Sequence, residues 1–343
     1  MKFTTILNII YINLIIWIRK FFRLKIQPYK VLLNLTDLCN SKCNFCDIWK
    51  IKPQNEINLM EIENIFKSLN SNLYWLSLSG GEVTLVKYYK QMINSLIDNC
   101  KNIKILAFTT NALAVNRALE YALYAKEKGI DVLVTISLDG DKETHDKLRG
   151  VNGNYKKCFD LYHKLKQNKI NCNFGITISN QNNEFILKKY LKYKYLIKAI
   201  TFVHNHGIFG INKNLEDKKI LKSIEFIYKN YPTSKLEHII EKIHLKIAIL
   251  FLKNERKKNI IPCDVINTSL HIMPNGDVKP CMFMESLGNI REKKIDQIIH
   301  NEKTNMIKES IKKNNCPKCW MNCYSPHSIM QHPLKSLYNF IIN

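Results

Sequence analysis

From residue 31 the chain alternates short β-rich runs with helical stretches, and this alternation restricts the fold more than any other feature. Strands are predicted at Val31–Thr36, Tyr74–Ser79, Ile103–Thr109, Val132–Leu138, Asn173–Ile178 and Lys198–Val203. Helices are predicted between them, near Leu59–Leu69, Tyr88–Asp98, Val115–Lys128, Tyr155–Gln167 and Glu184–Tyr195. Repetition of this kind builds parallel βαβ units. Six units predict an α/β fold, an open, partial (β/α)6 form of the TIM-type barrel. The 343 residues leave room for a smaller module as well. Leu236–Leu252 reads as a long linking helix, closed by the charged stretch Lys253–Lys258, and a cysteine-rich module begins near Pro262. The expected division is an N-terminal apolar and basic helix over 1–29, the barrel over 30–232, the link over 233–261 and the small module over 262–343.

In parallel α/β folds the active site forms where strands end, and the chemistry-bearing motifs fall there. Cys39, Cys43 and Cys46 follow strand one with C-x3-C-x2-C spacing. Ser79-Gly80-Gly81-Glu82 follows strand two, Thr110 and Asn111 follow strand three, and Ser137-Leu138-Asp139-Gly140 closes strand four. Three thiolates can hold three irons of a cubane [4Fe–4S] cluster and leave the fourth iron open, whereas a fully ligated electron-transfer cluster uses four cysteines. An open metal position is where a reactant coordinates. Glycines permit close backbone approach to a ligand, and a carboxylate accepts charge-assisted bonds from an ammonium group. Ser137 and Asp139 read as ligand contacts or as the turn after strand four. Arg149 reads as solvated or, less commonly, as a partner for a carboxylate, and His204 and His206 read as an exposed turn after strand six or as proton carriers at the barrel mouth.

A second group comprises Cys263, Cys281, Cys316, Cys319 and Cys323. Pro274-Asn275-Gly276-Asp277 predicts a β-hairpin turn just ahead of Cys281. Four thiolates with a C-x2-C pair suit structural zinc and iron–sulfur alike. There are 11 cysteines and no convincing secretory signal, so metal ligation is expected in place of disulfides. Cys100, Cys158 and Cys172 are isolated in apolar or helical contexts and read as core residues.

The formal charge is +23, with basic residues scattered along the chain and no stripe that would mark a specific nucleic-acid surface. The N-terminus is the exception. TILNIIYINLIIWI from residue 5 to 18 is too short for a confident transmembrane helix. Arg19, Lys20, Arg23 and Lys25 follow it. Two readings remain: an interfacial helix on an anionic membrane, or a helix packed over the bottom of the barrel.

Taken together, the cysteine triplet, Gly80-Gly81-Glu82, the segment SLDGDKETHDKLRG at 137–150 and the C-terminal cysteines resemble the radical S-adenosylmethionine (SAM) superfamily, in the branch with a SPASM or twitch extension. The resemblance implies an open-site [4Fe–4S] cluster on Cys39, Cys43 and Cys46, with SAM against Gly80, Gly81, Glu82, Ser137 and Asp139. It implies one auxiliary iron–sulfur cluster on Cys263, Cys281, Cys316 and Cys319, with Cys323 either replacing one of these or staying free. The implied reaction is reductive cleavage of SAM to a 5′-deoxyadenosyl radical, fed by a low-potential donor such as ferredoxin or flavodoxin. Implied substrates, in order of preference, are a peptide or protein, a lipid-linked molecule and a small polar molecule. The implied setting is the cytoplasm, including the inner face of the membrane. A non-enzymatic zinc or iron–sulfur binding protein is the alternative from another class. Two departures stand out: Val83 where the family usually has proline, and Ala112 where it often has glycine.

Overall fold

The computed structural model describes residues 3–205, 215–233 and 236–342. The chain runs α1 (Phe3–Phe21), β1 (Lys30–Asn34), α2 (Leu59–Leu69), β2 (Trp75–Ser79), α3 (Tyr89–Asn99), β3 (Ile105–Thr110), α4 (Val115–Glu127) and β4 (Asp131–Ser137). It continues through α5 (Lys142–Arg149), α6 (Asn154–Gln167), β5 (Asn171–Ile178), α7 (Asn183–Lys189), β6 (Ile197–Phe202), α8 (Asp217–Asn230) and α9 (Leu236–Lys253). The C-terminal part holds β7 (Ser269–Ile272), β8 (Asp277–Lys279), β9 (Gly288–Asn289), α10 (Ile295–Ile299), α11 (Glu302–Lys312), α12 (Ser325–Gln331) and α13 (Pro333–Ile341). All six predicted strands are present and pair in parallel in the order β6-β5-β4-β3-β2-β1. This is the partial TIM-type barrel.

Helix α2 illustrates how the outer layer forms. Asn58 and Glu61 make a reciprocal capping box, satisfying two donors that the first turn leaves open. Ile62, Ile65, Phe66 and Leu69 recur at helical spacing and bury one face.

Side-chain alternation along the strands creates a bore. Leu76, Leu78, Val132, Val134, Phe174 and Ile176 are buried, while Ser77, Ser79, Thr109, Thr135, Gly175 and Thr201 line a cavity of about 390 Å³. Successive residues on a strand face opposite sides. Small residues at the inward positions leave space where a TIM barrel normally packs layers of bulky side chains.

The small module is not a separate layer. Strand β7 pairs in parallel with β1, from Lys30↔Ser269 to Leu33↔Ile272, and the β7–β8 hairpin extends the same sheet. The predicted turn is present, with Gly276 at φ +86°, a left-handed conformation open to glycine without strain.

At the opposite end from the motifs, α1 lies beneath the barrel. Ile9 and Ile16 pack with Tyr29, Tyr74 and Ile105. Asn13 Nδ2 donates to the Tyr29 hydroxyl at 3.0 Å, which is 2.5 Å from His327 Nδ1. Lys30 Nζ is 2.9 Å from His327 Nε2 and 4.6 Å from the Trp75 ring centroid. Lys30 lines the bore at this end, with Trp75 and His327 packed against it. The outer face of α1 is solvent-exposed along Leu14, Trp17 and Phe21. Among the described residues no helix is long and apolar enough to cross a membrane.

Candidate functional site

The strand ends form a second cavity, of about 170 Å³. Cys39, Cys43 and Cys46 line it together with Gly80, Gly81, Glu82, Asn111, Ser137 and Arg149. It shares Ser79, Thr109, Ser137, Arg149 and Thr177 with the bore, so the two adjoin.

The glycine pair is required by the cysteine loop itself. A Cβ on Gly80 would lie 2.3 Å from Thr36 O, and one on Gly81 would lie 2.1 Å from Leu38 O. Gly81 N donates to Thr36 O at 2.7 Å and Glu82 N to Leu38 O at 2.9 Å. The close approach foreseen for a ligand is therefore made first by the neighbouring loop. Glu82 is buried, and its Oε1 accepts from Thr84 N, Thr84 Oγ1 and Thr110 Oγ1. Its Oε2 accepts from Asn111 N at 2.8 Å. Burial pushes the Glu82 pKa up against these four donors. A carboxylate offers about four lone-pair sites, two on each oxygen, so Oε2 retains one for a further donor.

Asp139 is placed differently from expectation. It is fully buried and does not line the cavity. Its Oδ1 accepts from Thr177 N at 2.9 Å and its Oδ2 from Arg149 Nε at 2.6 Å. Arg149 is accordingly not solvated. It is buried, its Nη1 lies 3.6 Å from Cys43 Sγ, and its guanidinium sits 5.5 Å from the Phe45 ring centroid. The backbone of the same segment holds the cysteine loop, through Lys42 N to Arg149 O and Asn44 N to Leu148 O.

His145 completes the brace. Its Nδ1 accepts from Asp139 N, and its Nε2 meets Asn154 Oδ1 at 3.1 Å. Asn154 Nδ2 then donates to Asn111 O at 2.7 Å. Burial lowers the His145 pKa to about 4, so the ring is neutral with its proton on Nε2. Sequence reasoning missed His145 and Asn154. The available signal was the length of SLDGDKETHDKLRG, which carries more polar side chains than a turn requires.

The three mouth thiols line one cavity, and burial keeps two of them protonated in the absence of metal. Burial pushes Cys46 up to about 11, and the neighbouring Cys43 and Cys39 add to the effect. Burial likewise raises Cys39. Thiols this reluctant to ionise become thiolates when a metal supplies the positive charge, so the residues fit a thiolate-bound cluster.

The C-terminal thiols are gathered as well. Burial raises Cys263 to about 12, with Cys281 and Cys316 contributing. Cys281 rises to about 11, and Cys319 feels Cys281, Cys263, Cys316 and Cys323. Cys263, Cys281, Cys316 and Cys319 thus form one neighbourhood. Cys323 differs from them, because it also lines the bore beside Lys30. Among the described residues no three His, Cys, Asp or Glu side chains converge on a point for a single ion. A cubane asks for something else, namely thiolates that each face a different iron.

His204 is not exposed. It is buried, with Nδ1 2.9 Å from Phe202 O, and its Nε2 accepts from Trp320 N at 3.2 Å. His206 lies outside the described residues. Cys100, Cys158 and Cys172 are buried, as expected of core residues.

Comparison with known proteins agrees with this arrangement. Residues 33–191 match the Radical SAM superfamily, and residues 263–324 match SPASM, an iron–sulfur cluster-binding domain. The chain belongs to the radical SAM superfamily, in its SPASM-bearing branch. The cofactors of these two domains are a [4Fe–4S] cluster with SAM and auxiliary iron–sulfur. A cysteine-type anaerobic sulfatase-maturating enzyme of Clostridium novyi is 31% identical over 172 residues, or 45% of this chain and 44% of that protein. The sporulation killing factor maturation protein SkfB of Bacillus subtilis is 29% identical over 157 residues, or 45% of this chain and 37% of that one. The matched region thus spans less than half the length of these curated relatives.

Among solved structures, anSMEcpe with bound AdoMet and the Cp18Cys peptide has a TM-score of 0.63 at 19% identity, over 92% of this chain and 96% of that one. Streptococcus suis SuiB bound to its precursor peptide SuiA has a TM-score of 0.61 at 19% identity, over 84% and 69%. These likenesses establish the fold.

Proposed function

We propose that the protein is a radical SAM maturase that modifies a peptide or protein in the cytoplasm. The observation that carries this reading is one continuous hollow. It starts at three thiols beside a Gly-Gly-Glu loop and leads down a bore to Cys323 of the cysteine-rich module.

When bound, the cluster and SAM would together supply a 5′-deoxyadenosyl radical for hydrogen-atom abstraction, with one electron from a donor such as ferredoxin or flavodoxin breaking the SAM C–S bond and methionine leaving. Cys39, Cys43 and Cys46 are the ligands we assign to the open-site cluster. Glu82 Oε2 keeps one acceptor site for the SAM ammonium group, and Gly80 and Gly81 bring the loop backbone alongside. Ser137 presents a hydroxyl where the two cavities adjoin. Asp139 is a positioning residue that holds Arg149 against Cys43. We assign one auxiliary cluster to Cys263, Cys281, Cys316 and Cys319.

The bore suits a side chain better than a whole molecule of peptide size. Its volume of about 390 Å³ lies near the lower end of ordinary ligand pockets. Asn173, Glu241 and Asn322 line it, and one side-chain oxygen of each (Asn173 Oδ1, Glu241 Oε1, Asn322 Oδ1) is buried without a hydrogen-bond partner among the described residues. Burial raises Glu241 to about 8, which leaves it neutral at pH 7 and able to donate or accept. Maturation proteins among the relatives, and peptide-bound structures among those of similar fold, support a peptide over a lipid-linked substrate. So does the position of α1, the apolar helix, at the end of the barrel away from the thiols.

The test uses anaerobically reconstituted protein with dithionite and SAM. It should form 5′-deoxyadenosine, and Cys43→Ala should form none. Iron content without 5′-deoxyadenosine would return the chain to the class of metal-binding proteins.

A further inference from the structure

The two terminal helices meet at the closed end of the barrel. Lys20, in the last turn of α1, and His332, just before α13, both bond the buried Asp264 carboxylate, with His332 Nε2 at 2.5 Å from Oδ2. Gln331 links the same elements, since its Nε2 donates to Asn13 O at 2.9 Å and its Oε1 accepts from Lys20 Nζ at 3.1 Å. The end of α1 is thereby pinned against the start of α13.

Each helix then turns an apolar face to solvent. Leu14, Trp17 and Phe21 lie exposed on α1, with Phe21 at 73%. Leu334, Tyr338 and Ile341 lie exposed on α13, with Leu334 at 84%. Helix α1 carries large apolar side chains on its outer face as well as its inner one, and a helix hydrophobic on both sides is ordinarily covered on both. The barrel covers one face, and nothing among the described residues covers the other.

Charge narrows the choice of cover. No Asp or Glu occurs between Met1 and Thr36 or between Ser310 and Asn343. Arg19, Arg23 and Lys25 are exposed beside the α1 face, and Lys335 is exposed on α13. Protein partners are steered and selected by complementary charges of both signs. An aromatic-rich apolar face on two segments whose own charges are all basic fits the boundary of an anionic bilayer, although Asp131 and Asp296 of other elements bond Thr5 and Gln27 nearby.

We propose that α1 and α13 form one platform that seats the closed end of the barrel on an anionic lipid surface. Stable seating on a bilayer takes two signals, and the Asp264 clamp supplies the second by adding α13 to α1. The mouth thiols then point away from the lipid. At about 3.3 Å per strand residue they stand some 20 Å above the strand starts, so the substrate arrives from water.

The test is flotation of the full chain with phosphatidylcholine vesicles, with and without phosphatidylserine. It needs no cluster or SAM, so its failure leaves the radical reading untouched. The anionic vesicles should carry at least tenfold more protein, and high salt should release it. Leu14→Glu/Trp17→Glu/Phe21→Glu and, separately, Leu334→Glu/Tyr338→Glu/Ile341→Glu should each lower the bound fraction at least tenfold. All six side chains face solvent, so folding is spared. Brominated lipid should quench tryptophan emission in the parent chain and not in Trp17→Phe. Failure to float would overturn the proposal, and so would flotation that either triple variant leaves intact. A parent dimer that either triple variant makes monomeric would assign the face to a second copy of the chain. Quenching that persists in Trp17→Phe would refute the orientation.

Discussion

The two thiol sets of this chain are held by different means. The mouth loop is shaped by protein alone: Arg149 reaches Cys43, Asp139 fixes Arg149, and the Lys42 and Asn44 amides are tied to α5. The C-terminal set is tied by neutral groups: Asn259 Oδ1 accepts from Cys319 N at 3.3 Å, and His204 Nε2 accepts from Trp320 N at 3.2 Å. Among the described residues no lysine or arginine hydrogen-bonds Cys263, Cys281, Cys316 or Cys319, and Cys316 has only the Asn259 amide at 3.5 Å. Those thiols face one another, each raising its neighbours. One site is held by a buried ion pair and the other by neutral contacts, so the second should lean more heavily on bound metal for its cohesion.

Iron removal should separate the two most strongly. Structural metal binding contributes on the order of 10 kcal/mol in small domains. Chelation under reducing conditions should abolish hydrogen-exchange protection around residues 259–324 and leave β2 to β5 protected. Equal losses in both regions would end the contrast.

The brace itself comes next. Arg149→Met strands a buried Asp139 charge and should destabilise the barrel by about 3–5 kcal/mol in urea unfolding. Arg149→Met/Asp139→Asn should recover much of that loss, whereas no recovery would locate the effect outside the pair.

The smallest effect lies at Ala112. It has φ +61°, where an L residue with a Cβ is disfavoured by roughly 1–2 kcal/mol. Ala112→Gly should raise stability by about 1 kcal/mol, read as a higher melting temperature. A fall would mean that the mouth loop tolerates this strain for packing reasons.

The barrel was legible because each strand pairs β-branched residues with turn signals, and the observed strands begin and end within two residues of expectation. Helix α5 was not read as a helix. Only His145 and Leu148, with Asp146, which accepts from the Gly153 and Tyr155 amides, and Arg149, ion-paired to Asp139, are buried on it, so hydrophobic periodicity is nearly absent. Its Asp141 cap and its left-handed Gly150 stop were local signals that sequence reading could have used. The cysteines and the glycine pair were visible because spacing alone specifies them. The Asp139–Arg149 pair was not, because the separation of ten positions between the partners conceals a contact that only the fold of α5 creates. The burial of His204 depends on Trp320, more than a hundred residues away, and no local pattern encodes it.

The packing of Trp75 and His327 against Lys30 at one end of the bore has a topological consequence. A tunnel open at both ends lets a polymer slide through and be worked on repeatedly in one encounter. A blind well does not. Whatever chain dips a residue into this one must withdraw by the same route, so multiple modifications would be scattered by successive encounters and not laid down in an unbroken run.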